Sequence, residues 1–195
     1  MKSWIRWAVA PFTVLVFVAV GSAQQSKADQ NMPTGKAFVT NAAEINLGEI
    51  ELGSLAQEKG NNAAVKQFGK LMVSDHTNAE NELRQLASER NVTLPTQPEK
   101  ADADVDAKLS HLTGARFDED YVRHMLHGHD RAIAEFENEI EHEQDAAIRA
   151  YAEKALPTIQ DHIRIAEDLA GKMGMPGKAG LSRPDKAIVA SAHPR

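Results

Sequence analysis

Four stretches of this chain carry apolar residues at the 3.6-residue period of a helix, and each runs for about 24 to 29 residues. Phe38, Ala42, Ile45, Leu52 and Ala56 share one stripe over residues 36–59. Val65, Phe68, Met72, Ala79, Leu83 and Leu86 share another over 62–90, after Gly60-Asn61, which can end one helix and cap the next. Tyr121, Met125, Ala132, Ile133, Phe136 and Ile140 make the third over 118–143. The fourth begins at the capping residue Asp145 and ends near Ala170, with Gly171 as its stop; Pro157 inside it predicts a kink or a break. Between the second and third stripes, Asn91 to Arg116 holds Pro95, Pro98 and an acidic run, and reads as a crossover containing a short helix. Connections that are short, long and short leave the second and third helices parallel. The chain is therefore expected to be all-α, a ferritin-like four-helix bundle made of two hairpins joined by a long crossover.

The chain's ends read differently. Lys2 and Arg6 precede an apolar run from Ala8 to Val20, followed by Gly21-Ser22-Ala23. That order predicts a signal peptide over 1–23; the 13-residue run is shorter than the roughly 20 residues that span a bilayer. A polar linker over 24–35 and the bundle over 36–171 follow, and 172–195, rich in Gly, Pro and basic residues, is expected to be a disordered tail. No cysteine is present, so neither a disulfide nor a lipid-anchoring Cys can stabilise or tether the chain, and folding must rest on the apolar core. Cleavage after Ala23 would remove two positive charges and take the formal net charge from −6 to −8. Such an acidic chain is a poor partner for nucleic acid, whose phosphates are bound by Lys and Arg. The expected location is the periplasm or beyond, with no membrane-spanning segment after cleavage.

Four ionisable residues sit where the stripes call for apolar ones. Helix two reads Phe68, Met72, His76, Ala79, Leu83, and helix three reads Tyr121, Met125, His129, Ala132, Phe136, with identical spacing, which suggests an internal duplication. His162 falls between Ile159 and Ile165, and Glu49 between Ile45 and Leu52. Counted along the helices, the four differ in depth by roughly 10 Å. Three imidazoles and a carboxylate suit a single Zn, Cu, Fe or Ni ion. Without a metal, the same residues are expected to hydrogen-bond one another, because an unpaired buried polar group costs about 1–3 kcal/mol. A di-iron site has less support: the residues three before each His are Val73, Leu126 and Ile159, not Glu. Asp75 and Asp161 adjoin two of the histidines, but sequence neighbours on a helix point about 100° apart. His124 and His127 read as a surface pair, and the alternating Glu135, Glu137, Glu139, Glu141 and Glu143 as solvated surface. No nucleophile–base pair or phosphate-binding loop is visible.

Taken together, Phe38-x3-Ala42-Ala43, Glu49-Ile50-Glu51-Leu52-Gly53-x-Leu55-Ala56, Val65-Lys66-x-Phe68, Met72-Val73-x-Asp75-His76, Phe117-Asp118-x2-Tyr121-Val122 and Leu156-Pro157-x4-His162 resemble an exported bacterial family of unknown function, ferritin-like in fold and often labelled "predicted outer membrane protein". The resemblance covers about Phe38 to Leu169 and implies a helical bundle in the cell envelope, with no established activity. Members of that family often carry Asp-His where this chain has Gly128-His129. The sequence thus favours a structural or interaction module with a buried His/Glu polar network. A mononuclear metal site on Glu49, His76, His129 and His162 is the alternative, and a di-iron oxidase stands behind both. Partner and substrate stay open, and the balance leans away from an enzyme.

Overall fold

A computed structural model describes residues 35–175. The signal peptide expected over 1–23, and most of the linker expected over 24–35 and of the tail expected over 172–195, lie outside the described residues. Within them the chain forms α1 (Gly35–Lys59), α2 (Ala63–Arg90), the short α3 (Lys100–Ser110), α4 (Gly114–His142) and α5 (Ala146–Lys172). The domain is all-α and ferritin-like: α1 pairs with α2, α4 with α5, and narrower contacts of α2 with α5 and of α1 with α4 close the ring. The short helix α3 packs on α1 and α4.

Burial explains the direction of each helix. One apolar cluster joins Leu52 and Ala56 near the end of α1, Val65 and Phe68 at the start of α2, Phe117 and Tyr121 at the start of α4, and Ala166 and Leu169 late in α5. A second cluster at the opposite end joins Phe38 and Ala42, Leu83 and Leu86, Phe136, and Ile148 and Tyr151. The starts of α2 and α4 lie in the same cluster, so these helices run parallel, as the long crossover requires. Repeat-matched residues share layers as well; the rings of Phe68 and Tyr121 stand 6.2 Å apart. A tandem copy of a hairpin would match first helix with first helix, whereas here the second helix of one hairpin matches the first of the other.

The α1–α2 pair is close because of two glycines. A Cβ on Gly69 would lie 2.6 Å from the Gly53 carbonyl, and one on Gly53 would lie 2.8 Å from the Gly69 carbonyl. Backbone cannot yield as a side-chain tip can, so any larger residue at either position separates the helices.

Several termini differ from the expectation. The cap of α2 is Asn62, whose side chain accepts from Ala64 N at 2.8 Å; such a cap contributes about 1 kcal/mol. Helix α4 starts four residues before Asp118, at Gly114 with φ +63°, and the extra turn buries Phe117 completely. Asp118 is not a terminus residue at all. It is buried, and its carboxylate accepts from Asn61 N (2.9 Å) and Asn62 N (2.8 Å), tying α4 to the α1–α2 turn. Asp145 does cap α5, accepting from Ala147 N and Ile148 N, and an ion pair with Arg90 helps hold its carboxyl down to about 2. Helix α5 is unbroken through Pro157, an exposed position where the carbonyl that loses its N–H partner can be hydrated. The left-handed glycine beyond its end is Gly174 (φ +69°), not Gly171. The glutamate series of α4 is not wholly solvated either: Glu139 is 4% exposed, and burial, then Glu143 beside it, pushes its carboxyl up to about 8.

Candidate metal centre

Between the two apolar clusters lies a polar layer. Asn46 and Glu49 of α1, His76 of α2, His129 of α4 and His162 of α5 are all buried. They occupy the gaps that the clusters leave: after Ala43, after Met72, after Leu126 and after Ile159. The stripes of four helices therefore bring their polar exceptions to one depth.

The three imidazoles converge. Ring centroids are 5.4 Å apart for His76–His162 and for His129–His162, and 6.1 Å for His76–His129. One ring nitrogen from each lies within 4.8 Å of the other two. Each imidazole also has an oxygen behind it. His76 Nδ1 is 2.9 Å from Asn46 Oδ1, His129 Nδ1 is 2.9 Å from the Met125 carbonyl, and His162 Nε2 is 3.0 Å from Asp75 Oδ2. A carbonyl or carboxylate oxygen only accepts, so each of these outer nitrogens carries the hydrogen. In neutral rings the inner nitrogens, His76 Nε2, His129 Nε2 and His162 Nδ1, are then lone pairs. Two of them, His129 Nε2 and His162 Nδ1, face each other at 3.3 Å, and His76 Nε2 is buried with no hydrogen-bond partner.

Electrostatics favour neutral rings for two of the three. Burial, then the neighbouring imidazoles His129 and His162, holds His76 well below its ordinary value of 6.5. Burial, then His162, takes His129 down to about 3. Glu49 is pushed up to about 8 by burial and then by Asp102, so at neutral pH its carboxyl is mostly uncharged.

Glu49 does not join the inner face. Its Oε1 approaches His129 from behind, 3.9 Å from Nδ1, and its Oε2 has no hydrogen-bond partner. Sequence reasoning passed over Asp75 and Asn46. Asp75 does point away from its neighbour His76, as the 100° argument requires, but that direction aims it at His162 on α5. Asn46 lies one turn before Glu49, and its amide gave no signal beyond that spacing. His124 is half-buried, with Nε2 3.9 Å from Asp102 Oδ1, and His127 is exposed.

The trio lines a cleft of about 370 Å³ to which α1, α2, α4 and α5 all contribute and which is also lined by Glu99, Asp102, His124 and His127.

A sequence profile described as a domain of unknown function, DUF4142, matches residues 20–169. The chain belongs to the DUF4142 family. Its solved neighbours include a DUF305 protein from Streptomyces coelicolor that is described as secreted (TM-score 0.64, 14% identity, 73% of this chain and 94% of that one) and a DUF305 fragment from Deinococcus radiodurans (TM-score 0.61, 16% identity, 73% and 97%). At such identities the likeness is one of fold. No curated protein matches the chain. The DUF4142 domain of this chain is a helical bundle with a buried His/Glu layer between its two apolar clusters.

Proposed function

We propose that this DUF4142 domain is an exported metal-binding module and that His76, His129 and His162 hold one transition-metal ion. The observation that carries the reading is the set of three inner lone pairs, each fixed by an oxygen behind its ring. Histidine ligands of metals carry this kind of outer acceptor, which sets the tautomer and raises the basicity of the ligating nitrogen. The 3.3 Å between His129 Nε2 and His162 Nδ1 equals about one edge of a tetrahedron with metal–nitrogen bonds of about 2.0–2.1 Å. Neutral imidazoles suit Zn, Cu, Fe or Ni, and the donor set lacks the carboxylates of a di-iron centre. Glu49 acts here as a group behind His129 rather than as a fourth ligand.

A second reading keeps the layer as a hydrogen-bonded network. A second proton on His162 would let it donate to both Asp75 and His129. That arrangement leaves His76 Nε2 unpaired, at a cost of about 1–3 kcal/mol, whereas a metal ion uses all three nitrogens.

Equilibrium dialysis against Zn(II) with metal analysis separates the two. One ion per chain is expected, lost in His76→Ala, His129→Ala and His162→Ala and kept when His124 and His127 are both replaced. Equal stoichiometry in wild type and the three core variants would rule the site out.

Export is supported by the order of charge, apolar run and small residues over 1–23 and by the secreted description of the Streptomyces neighbour. None of the described helices is long and apolar enough to cross a membrane. Mass spectrometry of the intact protein from a periplasmic extract should give a chain beginning at Gln24; a species retaining Met1 would defeat the reading.

A further inference from the structure

Three protein donors leave a tetrahedral ion one ligand short, and the groups that might complete it are already placed elsewhere. Asn46 is behind His76, Asp75 behind His162, and Glu49 behind His129. Among the described residues, the only metal-sized cluster of His, Asp and Glu is the trio itself.

The space in front of the trio is larger than an ion needs. A water molecule occupies about 30 Å³ of liquid, while the cleft measures about 370 Å³, in the range of small-molecule sites. Small residues create that room. Ala79 and Ala132 each stand three positions after a ligating His, at the matched place in the α2 and α4 repeat, and both line the cleft. Gly128 lines it too, and a Cβ there would meet nothing nearer than Glu49 Oε1 at 3.7 Å. A leucine at either alanine would continue the stripe and fill the cleft, so the repeat keeps space beside the histidines.

The lining also has a sign. Asp75, Glu99, Asp102 and Glu135 face the cleft with Arg131, while Lys154 is bonded to Glu82 at 2.8 Å. An acidic cleft concentrates cations, admits neutral donors without penalty and disfavours anions.

We propose that the ion held by His76, His129 and His162 keeps one coordination position open to this cleft, and that a small neutral or cationic molecule with a nitrogen or oxygen donor takes it. The inference rests on the metal reading above. It makes the centre an exchangeable one, of the kind that presents three protein ligands and an outside fourth, rather than a closed structural site.

Cobalt(II) in place of the native ion makes the fourth ligand visible through its d–d absorption bands. Imidazole added to the cobalt-loaded protein should shift these bands at saturable concentration, and azide, a smaller anion that the cleft admits as easily by size, should need about tenfold more. Ala79→Leu, at a half-buried position, should bind cobalt with unchanged bands and lose the imidazole response; Ala132→Leu, at a buried position of the second apolar cluster that also lines the cleft, should do the same. Cobalt bands in wild type that neither ligand moves would overturn the open position. An undiminished imidazole response in both leucine variants would overturn the cleft as its route. Absence of cobalt bands dependent on the three histidines would instead overturn the metal reading, and this inference with it.

Discussion

At the scale of single residues, periodicity located the three histidines because each interrupts an apolar stripe, and burial favours the neutral state of His76 and His129. It could not locate Asp75 or Asn46, since the partner of each is on another helix: Asp75 on α2 meets His162 on α5, and Asn46 on α1 meets His76 on α2. Nor could it separate Glu139 from its exposed neighbours in an alternating run. The buried groups make stability depend on pH in opposed senses. For His76 and His129 the folded pKa is depressed, so the unfolded chain binds more protons on acidification; their contribution is present above about 6.5 and declines as pH falls through that value. For Glu49 and Glu139 the folded pKa is raised from 4.5 to about 8, so the folded chain keeps protons that the unfolded chain releases. Their contribution is present below about 4.5 and fades as pH rises towards 8. The slopes oppose each other between about 4.5 and 6.5, and above 6.5 only the carboxyls act. Urea midpoints of chelator-treated protein should therefore decline from pH 6.5 to 8. Glu139→Gln, which keeps the shape and removes the titration, should lessen that decline and, because Glu139 also opposes the histidines between about 4.5 and 6.5, steepen the loss on the acid side. An identical decline in the variant would show that the Glu139 carboxyl does not hold its proton in the folded chain.

At the scale of elements, the apolar faces were legible throughout, because a stripe at period 3.6 has only one way to be buried. The ends were less so. A terminus is chosen by what the last turn touches, and that contact is tertiary. The first turn of α4 exists because Phe117 fills the cluster beneath it, which a local reading of Asp118 as a start signal cannot contain. Asp118 itself satisfies two backbone N–H groups of the turn between α1 and α2, a task set by a segment 56 and 57 residues away. Asp145 was legible because a cap acts within its own first turn. The continuity of α5 through Pro157 follows from exposure, since a carbonyl without its helical partner is tolerable where water can reach it. The close approach of α1 and α2 at Gly53 and Gly69 was visible only as two glycines inside helical patterns, which lower helix propensity until the crossing is known.

At the scale of the whole molecule, the polar layer divides the core into two apolar clusters that share the same four long helices. Each cluster holds one of the chain's two tyrosines, Tyr121 in one and Tyr151 in the other. Both clusters are apolar and complete without an ion, so helicity should survive chelation. The proposed metal would nevertheless act on both halves, because its ligands sit on α2, α4 and α5 exactly where the clusters meet. A ligand that binds only the folded state adds about 2.7 kcal/mol when present at 100 times its dissociation constant, and that gain belongs to whatever unfolds as one unit. If the layer couples the clusters, they melt together and the gain is shared. The tyrosines report this separately. In protein beginning at Gln24, which lacks Trp4 and Trp7, Tyr121→Phe leaves Tyr151 as the emitter, and Tyr151→Phe leaves Tyr121. The Tyr121 hydroxyl has no hydrogen-bond partner, so removing it should cost little. Urea curves followed by the two remaining tyrosines and by helical circular dichroism should coincide, and Zn(II) should raise all the midpoints by the same amount in each variant. A rise confined to one tyrosine would mean that the metal stabilises one end of the bundle alone, and that the layer between the clusters separates them instead of joining them.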